Sequence, residues 1–315
     1  MKKKILIIGC LGHIGYSLSL YLSKKYNVFG TYNSLKNKNL LKTLKQNKIK
    51  VLKVDVANED LLKNILKKYN FDTCVYAAAI AHDSIAKRNT KKTIEANCLG
   101  VINFFENNKN NCKFIYISTG SVFQNIKSSS EKIDEKTKPT PGSLYSVSKR
   151  YGELLVENNF INKKISTILR ISWVYGPPIV TSYIDVQRGP IPYILTQLFK
   201  LNKKKLLFKS GGDFEASFTY INDVCFALEK LIKNKKFEYP VYHLGSGKNY
   251  KLLKLVKIIN NNYKDKTLKM GKGYYPWTTD SVIRGPLISK LKNKLRTTYS
   301  LNKGIKEYIS FLKEL

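Results

Sequence analysis

Tyr145-Ser-Val-Ser-Lys149 and Gly9-x-x-Gly12-x-x-Gly15 are the two stretches of this 315-residue chain whose residue types and spacing can do chemistry together. On a helix, residues i and i+4 share a face, so the Tyr145 phenol and the Lys149 ammonium can enter one pocket. A free tyrosine ionises near ~10, too high for a base at neutral pH. A fixed positive charge beside it favours the phenolate and lowers that value. Such a pair can take a proton from an alcohol or sugar hydroxyl, or give one to a carbonyl. The glycines supply what the pair lacks, a seat for a hydride carrier. Tyr-x-x-x-Lys alone is common on any lysine-rich helix. The glycine loop ahead of it, and the hydroxyl-rich run Ser118-Thr119-Gly-Ser121 between the two, give it weight.

These groups need elements to hold them. Lys4-Ile-Leu-Ile-Ile8 is a continuous apolar run ending at Gly9, as expected of a strand buried on both faces. After Gly15, apolar residues recur at helical spacing through Leu22, so the glycines sit on a strand–turn–helix junction. There, backbone N–H groups can approach a pyrophosphate and the helix N-terminus favours its negative charge. Further apolar runs at 28–31, 49–54, 73–79, 114–118 and 165–171 alternate with lysine-rich helical stretches. That alternation predicts an α/β fold with a doubly wound parallel sheet. The loop Lys138-Pro-Thr-Pro-Gly142 leads into the Tyr145 helix, with Ser143 as its expected N-cap. After Gly176 the pattern becomes irregular, as expected of a smaller, loop-rich C-terminal lobe.

Composition narrows the classes. Hydrophobic residues make up 43% of the chain, enough for a sizeable core, and no apolar run reaches the ~18 residues of a membrane span. The basic start at Lys2–Lys4 resembles a signal peptide, but His13 interrupts the apolar run and no small-residue cleavage site follows. A cytoplasmic location is expected. Five scattered cysteines without Cys-x-x-Cys, and three distant histidines, predict reduced thiols and no metal site. The formal net charge of +34 invites a nucleic-acid reading. Yet six of the 56 basic residues are Arg, the residue favoured for base readout, and the lysines are spread along the whole chain. A solvated lysine surface is the plainer account, a polyanionic substrate or cofactor drawn in by the field the next, and nucleic acid the third.

Taken together, these residues resemble an extended short-chain dehydrogenase/reductase of the NAD-dependent epimerase/dehydratase family, nearly end to end. The turn glycines fall on Gly9, Gly12 and Gly15, and the adenine-contacting Asp on Asp55 in Val54-Asp55-Val56. Ala77-Ala78-Ala79 matches the small-residue strand end against the cofactor, and Asn97-Cys-Leu-Gly100 a structural Asn-x-x-Gly. Ser118-Thr119-Gly-Ser121-Val-Phe123 matches the strand end with the catalytic hydroxyl. Leu169-Arg-Ile-Ser-Trp173-Val-Tyr-Gly-Pro177 and Ser217-Phe-Thr-Tyr-Ile-Asn-Asp-Val224 match two substrate-lobe landmarks. The resemblance implies a Rossmann-type domain over 1–176 and a substrate-binding lobe over 177–315, with segments around 218–246 returning to the first domain. It implies Thr119, Tyr145 and Lys149 as catalytic residues. Cofactor contacts would be Gly9, Gly12, His13, Ile14, Gly15, Asp55, Val56, Ala77, Ala78 and Lys149, and substrate contacts Ser121, Trp173 and Arg188, the last as a phosphate clamp. Asp55 has a second candidate use, capping the next helix. Asn97 is expected to brace backbone and Arg170 to be structural.

Departures from the family pattern shape the expected activity. The 4,6-dehydratases carry Asp-Glu after the catalytic Thr, where Gly120-Ser121 stand here, so dehydration lacks its acid and base. Many epimerases have Asn at Trp173 and a diphosphate-gripping Arg at Ala216. Ile117-Ser-Thr-x-x-Val-Phe123 and Arg170-x-Ser-Trp-Val-Tyr175 instead resemble dTDP-4-dehydrorhamnose reductases. The expectation is a reductase of a nucleotide-linked 4-keto sugar. An epimerase is the alternative, and a non-catalytic cofactor sensor or nucleic-acid binder on the same fold the rival of another class. The second strand, Asn27-Val-Phe-Gly-Thr-Tyr-Asn-Ser34, has no acid to repel a 2′-phosphate, and Lys36 and Lys38 follow. NADP(H) is therefore the expected cofactor, with NAD(H) the other candidate. A nucleotide sugar is the expected partner, and a homodimer the candidate assembly.

Overall fold

The structure, a computed structural model, describes residues 2–34, 37–126, 128, 130–178, 189–278 and 285–315. The apolar runs become strands β1 (Lys4–Ile8), β2 (Asn27–Tyr32), β3 (Lys50–Lys53), β4 (Thr73–Tyr76), β5 (Lys113–Thr119) and β6 (Ser166–Ile171). Between them lie helices α1 (His13–Ser23), α2 (Lys38–Gln46), α3 (Glu59–Tyr69), α4 (Asp83–Arg88), α5 (Thr90–Ile94), α6 (Gly100–Asn107) and α7 (Leu144–Lys163). A π-helical segment, Glu95–Leu99, joins α5 to α6.

The strands form a seven-stranded sheet in the order Val241–Leu244, β6, β5, β4, β1, β2, β3. Pairing from β3 through β2, β1 and β4 to β5 is parallel. The strand order reverses between β1 and β4, so the connections leaving their C-terminal ends diverge and open a crevice there. Ile5–Ile8 of β1 and all of β4 are buried, as befits strands covered by helices on both faces. The core beneath α3, α6 and α7 is built from Leu62, Leu66, Phe104, Phe114, Tyr116 and Val156.

The chain divides into two compact units. The first holds Met1–Gln124, Lys138–Arg170 and Cys225–Tyr242; the second holds Asn125–Thr137, Ile171–Val224 and His243–Leu315. This differs from a division at residue 176. Asn125–Thr137 goes to the second unit because it bonds there: Ile133 pairs with Leu287, and Glu135 accepts the amides of His243 and Lys290. The returning segment is Cys225–Tyr242, shorter than 218–246.

In the second unit, Trp173–Tyr175 pairs with Phe218–Tyr220, and Lys205–Phe208 with Thr267–Met270. Buried Asp223 accepts the amides of Thr298 and Tyr299 and so ties in the segment leading to the last helix. Among the described residues, no helix is long and apolar enough to cross a membrane.

Candidate active site

At the end of β1 the chain turns at Gly9, whose φ of +91° is open to glycine and strained for other residues. The amides of Gly9 and Cys10 both donate to the Thr31 carbonyl, pinning the loop to β2. A Cβ on Gly15 would lie 2.2 Å from the Gly9 carbonyl oxygen, so the helix can approach the loop only with glycine there. The helix starts at His13, inside the glycine motif, with Gly12 as its N-cap. A glycine cap offers no side chain to the first-turn amides, which include those of His13 and Ile14. A helix start without a side-chain cap, beside a chain with no bulk at Gly9, Gly12 or Gly15, fits a dinucleotide's pyrophosphate.

Asp55 does not cap the next helix. Its Oδ1 accepts the Ala57 amide at 3.0 Å, closing a local turn, while Asn58 caps α3 through the Leu61 amide. The turn leaves Asp55 half-buried beyond the end of β3, with Val56 buried beside it.

The fourth strand stops at Tyr76, three residues short of the run Thr73–Ala79. Ala77 still bonds the Ile8 carbonyl, but the backbone at Ala78 then passes directly against Gly9. Farther on, Asn97 takes both backbone groups of Ile80, accepting its amide at 2.9 Å and donating to its carbonyl at 3.3 Å. A side chain has replaced the ladder. Asn97 also donates to Ser148 Oγ at 2.9 Å, and Ser148 Oγ donates to the Tyr145 carbonyl. The π segment thereby braces the β4 end against α7, a use of a π-bulge common near functional sites.

Helix α7 begins at a full capping box. Ser143 Oγ accepts the Ser146 amide, and Ser146 Oγ accepts the Ser143 amide. Ser143 also donates to Asp83, which accepts from Gln124 as well, so the first residue of α4 and the segment after β5 both hold the helix start. Tyr145 and Lys149 follow on one face of α7. Thr119 ends β5 half-exposed, and its Oγ1 accepts the Ser121 amide at 3.0 Å. That bond uses a lone pair and leaves the Thr119 O–H to donate elsewhere. The first unit thus carries the glycine loop, Asp55, Val56, Ala77, Ala78, Thr119 and Ser121 at or just beyond the C-terminal ends of β1, β3, β4 and β5, and Tyr145 and Lys149 on α7, where Lys149 reaches the Tyr116 ring of β5.

Two other expected residues are not part of that set. Trp173 belongs to the second unit, its ring edge-on to Phe214 at 5.5 Å. Arg188 lies outside the described residues, as does Lys36.

One group was absent from the sequence reading. Glu153, a helical turn after Lys149, is fully buried, and Arg170 of β6 forks onto it with two bonds of 2.8 Å. Ser118 donates to the same carboxylate at 2.6 Å and Arg150 at 3.0 Å. Burial by itself would raise the Glu153 pKa; the Arg170, Ser118 and Arg150 contacts outweigh it and hold the carboxyl below its ordinary range. The signal available was the repeat Tyr145, Lys149, Glu153 at i, i+4, i+8 on one helix face.

Lys149 is different. It is 2% exposed, and burial lowers its pKa to about 7, against a partial upward pull from Glu153 and Cys98. Its ammonium makes no hydrogen bond to the described residues, so a buried cation is left with donors to spare. An ammonium with donors to spare fits a ribose diol, and the glycine loop fits the same dinucleotide.

The sequence profile of a family described as GDP-mannose 4,6 dehydratase matches residues 6–285. A dTDP-D-glucose 4,6-dehydratase of Dictyostelium discoideum is 30% identical over 277 residues, covering 82% of this chain and 62% of that protein. The chain thus spans less than two thirds of that relative. Among solved structures, the UDP-glucose 4-epimerase of Thermotoga maritima with UDP-glucose is similar at a TM-score of 0.83 and 21% identity, covering 99% of both chains. The UDP-glucuronic acid 4-epimerase of Bacillus cereus, in complex with UDP-glucuronic acid and NAD, gives 0.79 and 23%, again covering 99% of both.

Proposed function

Because the chain belongs to the NAD-dependent epimerase/dehydratase family of extended short-chain dehydrogenases/reductases, we propose that it catalyses hydride transfer at a carbonyl or hydroxyl carbon of a nucleotide-activated sugar, as a 4-keto-sugar reductase. The observation that carries this reading is the Thr119, Tyr145 and Lys149 set with Gly120-Ser121 where an eliminating enzyme needs an acid and a base. Bound NAD(P) would supply the hydride. Lys149 then holds the nicotinamide ribose with its spare donors. Tyr145 gives its proton to the alkoxide forming on the sugar, or takes one from the alcohol in reverse. Thr119 donates to the same oxygen and keeps it within reach of Tyr145. The first-turn amides of α1 hold the pyrophosphate, and Asp55 accepts from the adenosine.

An epimerase is the second reading, favoured by the epimerases among the solved neighbours. It uses the same groups on a sugar that is oxidised and then reduced again. The preferred cofactor in our reading is NADP(H), since β2 runs out through Asn33 and Ser34 without an acid. Lys38, exposed at the start of α2, is the described basic residue nearest that point in sequence. For assembly we take a homodimer, supported by an exposed apolar stripe on α7 at Val147, Tyr151 and Leu154.

The deciding experiment incubates a panel of nucleotide sugars and 4-keto sugars with NADH and NADPH, followed by mass spectrometry. A keto sugar should gain two hydrogens as the reduced cofactor is consumed, NADPH faster than NADH. Epimer formation without net cofactor turnover would replace the reductase by the epimerase. Loss of water from a hexose nucleotide would overturn the exclusion of dehydration, and tighter binding of NADH than NADPH the cofactor preference.

A further inference from the structure

Lys149 is buried and lacks a hydrogen-bonding partner among the described residues, yet something holds it in place. Its Nζ lies 3.8 Å from the centroid of the Tyr116 ring. At that distance and out of water, the ring quadrupole attracts an ammonium. The ring is itself fixed by its neighbours. Tyr116 is fully buried on β5, and its hydroxyl reaches the Asn97 carbonyl at 3.4 Å. Tyr76, its register partner on β4, donates to the Ala96 carbonyl at 2.7 Å. Two tyrosines of neighbouring strands thus engage consecutive carbonyls of the π segment. Helix α7 is notched where the ring passes under it: a Cβ on Gly152 would lie 2.4 Å from the Tyr116 hydroxyl. Burial pushes the Tyr116 phenol far above its ordinary range, so it stays neutral and acts as a platform.

We infer that Tyr116 is the positioning residue for Lys149, its ring face seating the buried ammonium where it can serve the cofactor ribose and Tyr145. The inference rests on the proposed role of Lys149 in cofactor binding. The charged or titratable groups that act on Lys149 besides the ring are Glu153 on its own helix and Cys98 from the π segment. What the ring does, phenylalanine can do and leucine cannot.

NADH and NADPH binding to the full chain, measured by fluorescence across the neutral pH range, tests this. In the wild type, affinity should fall as pH rises through the titration of Lys149. Tyr116→Leu should weaken binding about tenfold at neutral pH and move that fall about one pH unit lower, the loss expected of a desolvated cation–π contact. Tyr116→Phe should stay within about twofold of wild type, because the ring survives. Gly152→Ala, which keeps Tyr116 but pushes on its ring, should weaken binding in the same direction and serves if the leucine variant does not fold. Wild-type affinity and pH dependence in a folded Tyr116→Leu variant, or in Gly152→Ala, would overturn the inference. Lys149→Ala separates the two readings. If it binds cofactor normally, the proposed role of Lys149 fails; if it binds poorly and Tyr116→Leu binds well, only the seat fails.

Discussion

Lys149 and Glu153 stand one turn apart on α7, both buried, and their surroundings are opposite. Every side of the Glu153 carboxylate is met: Arg170 forks onto it, and Ser118 and Arg150 complete its bonds. The ammonium of Lys149 has a ring face and the electrostatic pull of Glu153 and Cys98. A buried charge whose bonds are all made by the protein is scaffold. Here it ties α7 to the ends of β5 and β6. A buried charge left with donors to spare costs stability, and that cost is tolerated where a ligand completes the set. The difference separates the part of the helix that holds from the part we propose to act.

The largest expected effect lies on the acting side. Tyr145→Phe should lower kcat by 10²- to 10⁴-fold, the contribution typical of a positioned proton donor, with cofactor affinity nearly unchanged. Lys149→Ala should lower both. Steady-state kinetics alongside cofactor titration would decide this, and a Tyr145→Phe enzyme keeping more than about a tenth of its kcat would remove the acid–base role.

On the holding side, Glu153→Ala strands the buried Arg170 guanidinium without its counter-charge. Breaking such a pair costs about 3–5 kcal/mol, so in a 315-residue chain the melting temperature should drop by roughly 5–8 °C. A variant that melts like the wild type would erase the contrast between the two residues.

Lys149→Met should do the reverse and raise the melting temperature of the cofactor-free protein near neutral pH. Since burial lowers Lys149 to about 7, the folded protein binds this proton less readily than the unfolded chain. The cost is full below that pH and fades as pH rises toward the ordinary value near ~10.4. The stabilisation should therefore shrink as the melts are repeated at higher pH; a gain that does not change with pH would trace to packing instead. Smallest of all, Ser143→Ala removes the α7 cap and should cost about 1 kcal/mol in denaturant unfolding.

Much of this site is legible in the linear chain because its signals are local. The run Lys4–Ile8 before Gly9, the Ser143 cap, and the four-residue spacing of Tyr145 and Lys149 each depend on neighbours in sequence. The end of β4 was misplaced for the opposite reason. Ala77–Ala79 look like strand, but the Gly9 loop and the side chain of Asn97 draw that backbone out of the ladder. Asp55 looked able to cap a helix, and Asn58, three residues later, does so. Glu153 lay in plain view without meaning, since its partners arrive from Ser118 and Arg170 on separate strands.

The amino-acid sequence by itself determined the strand and helix alternation, the glycine turn and the Tyr145–Lys149 pair, because periodicity and backbone freedom act over a few residues. Tertiary structure alone decided which buried charge is satisfied and which keeps donors to spare. That distinction depends on what packs against the helix from β5, β6 and the π segment, and desolvation and hydrogen bonding are properties of the assembled surroundings, not of the residue that carries the charge.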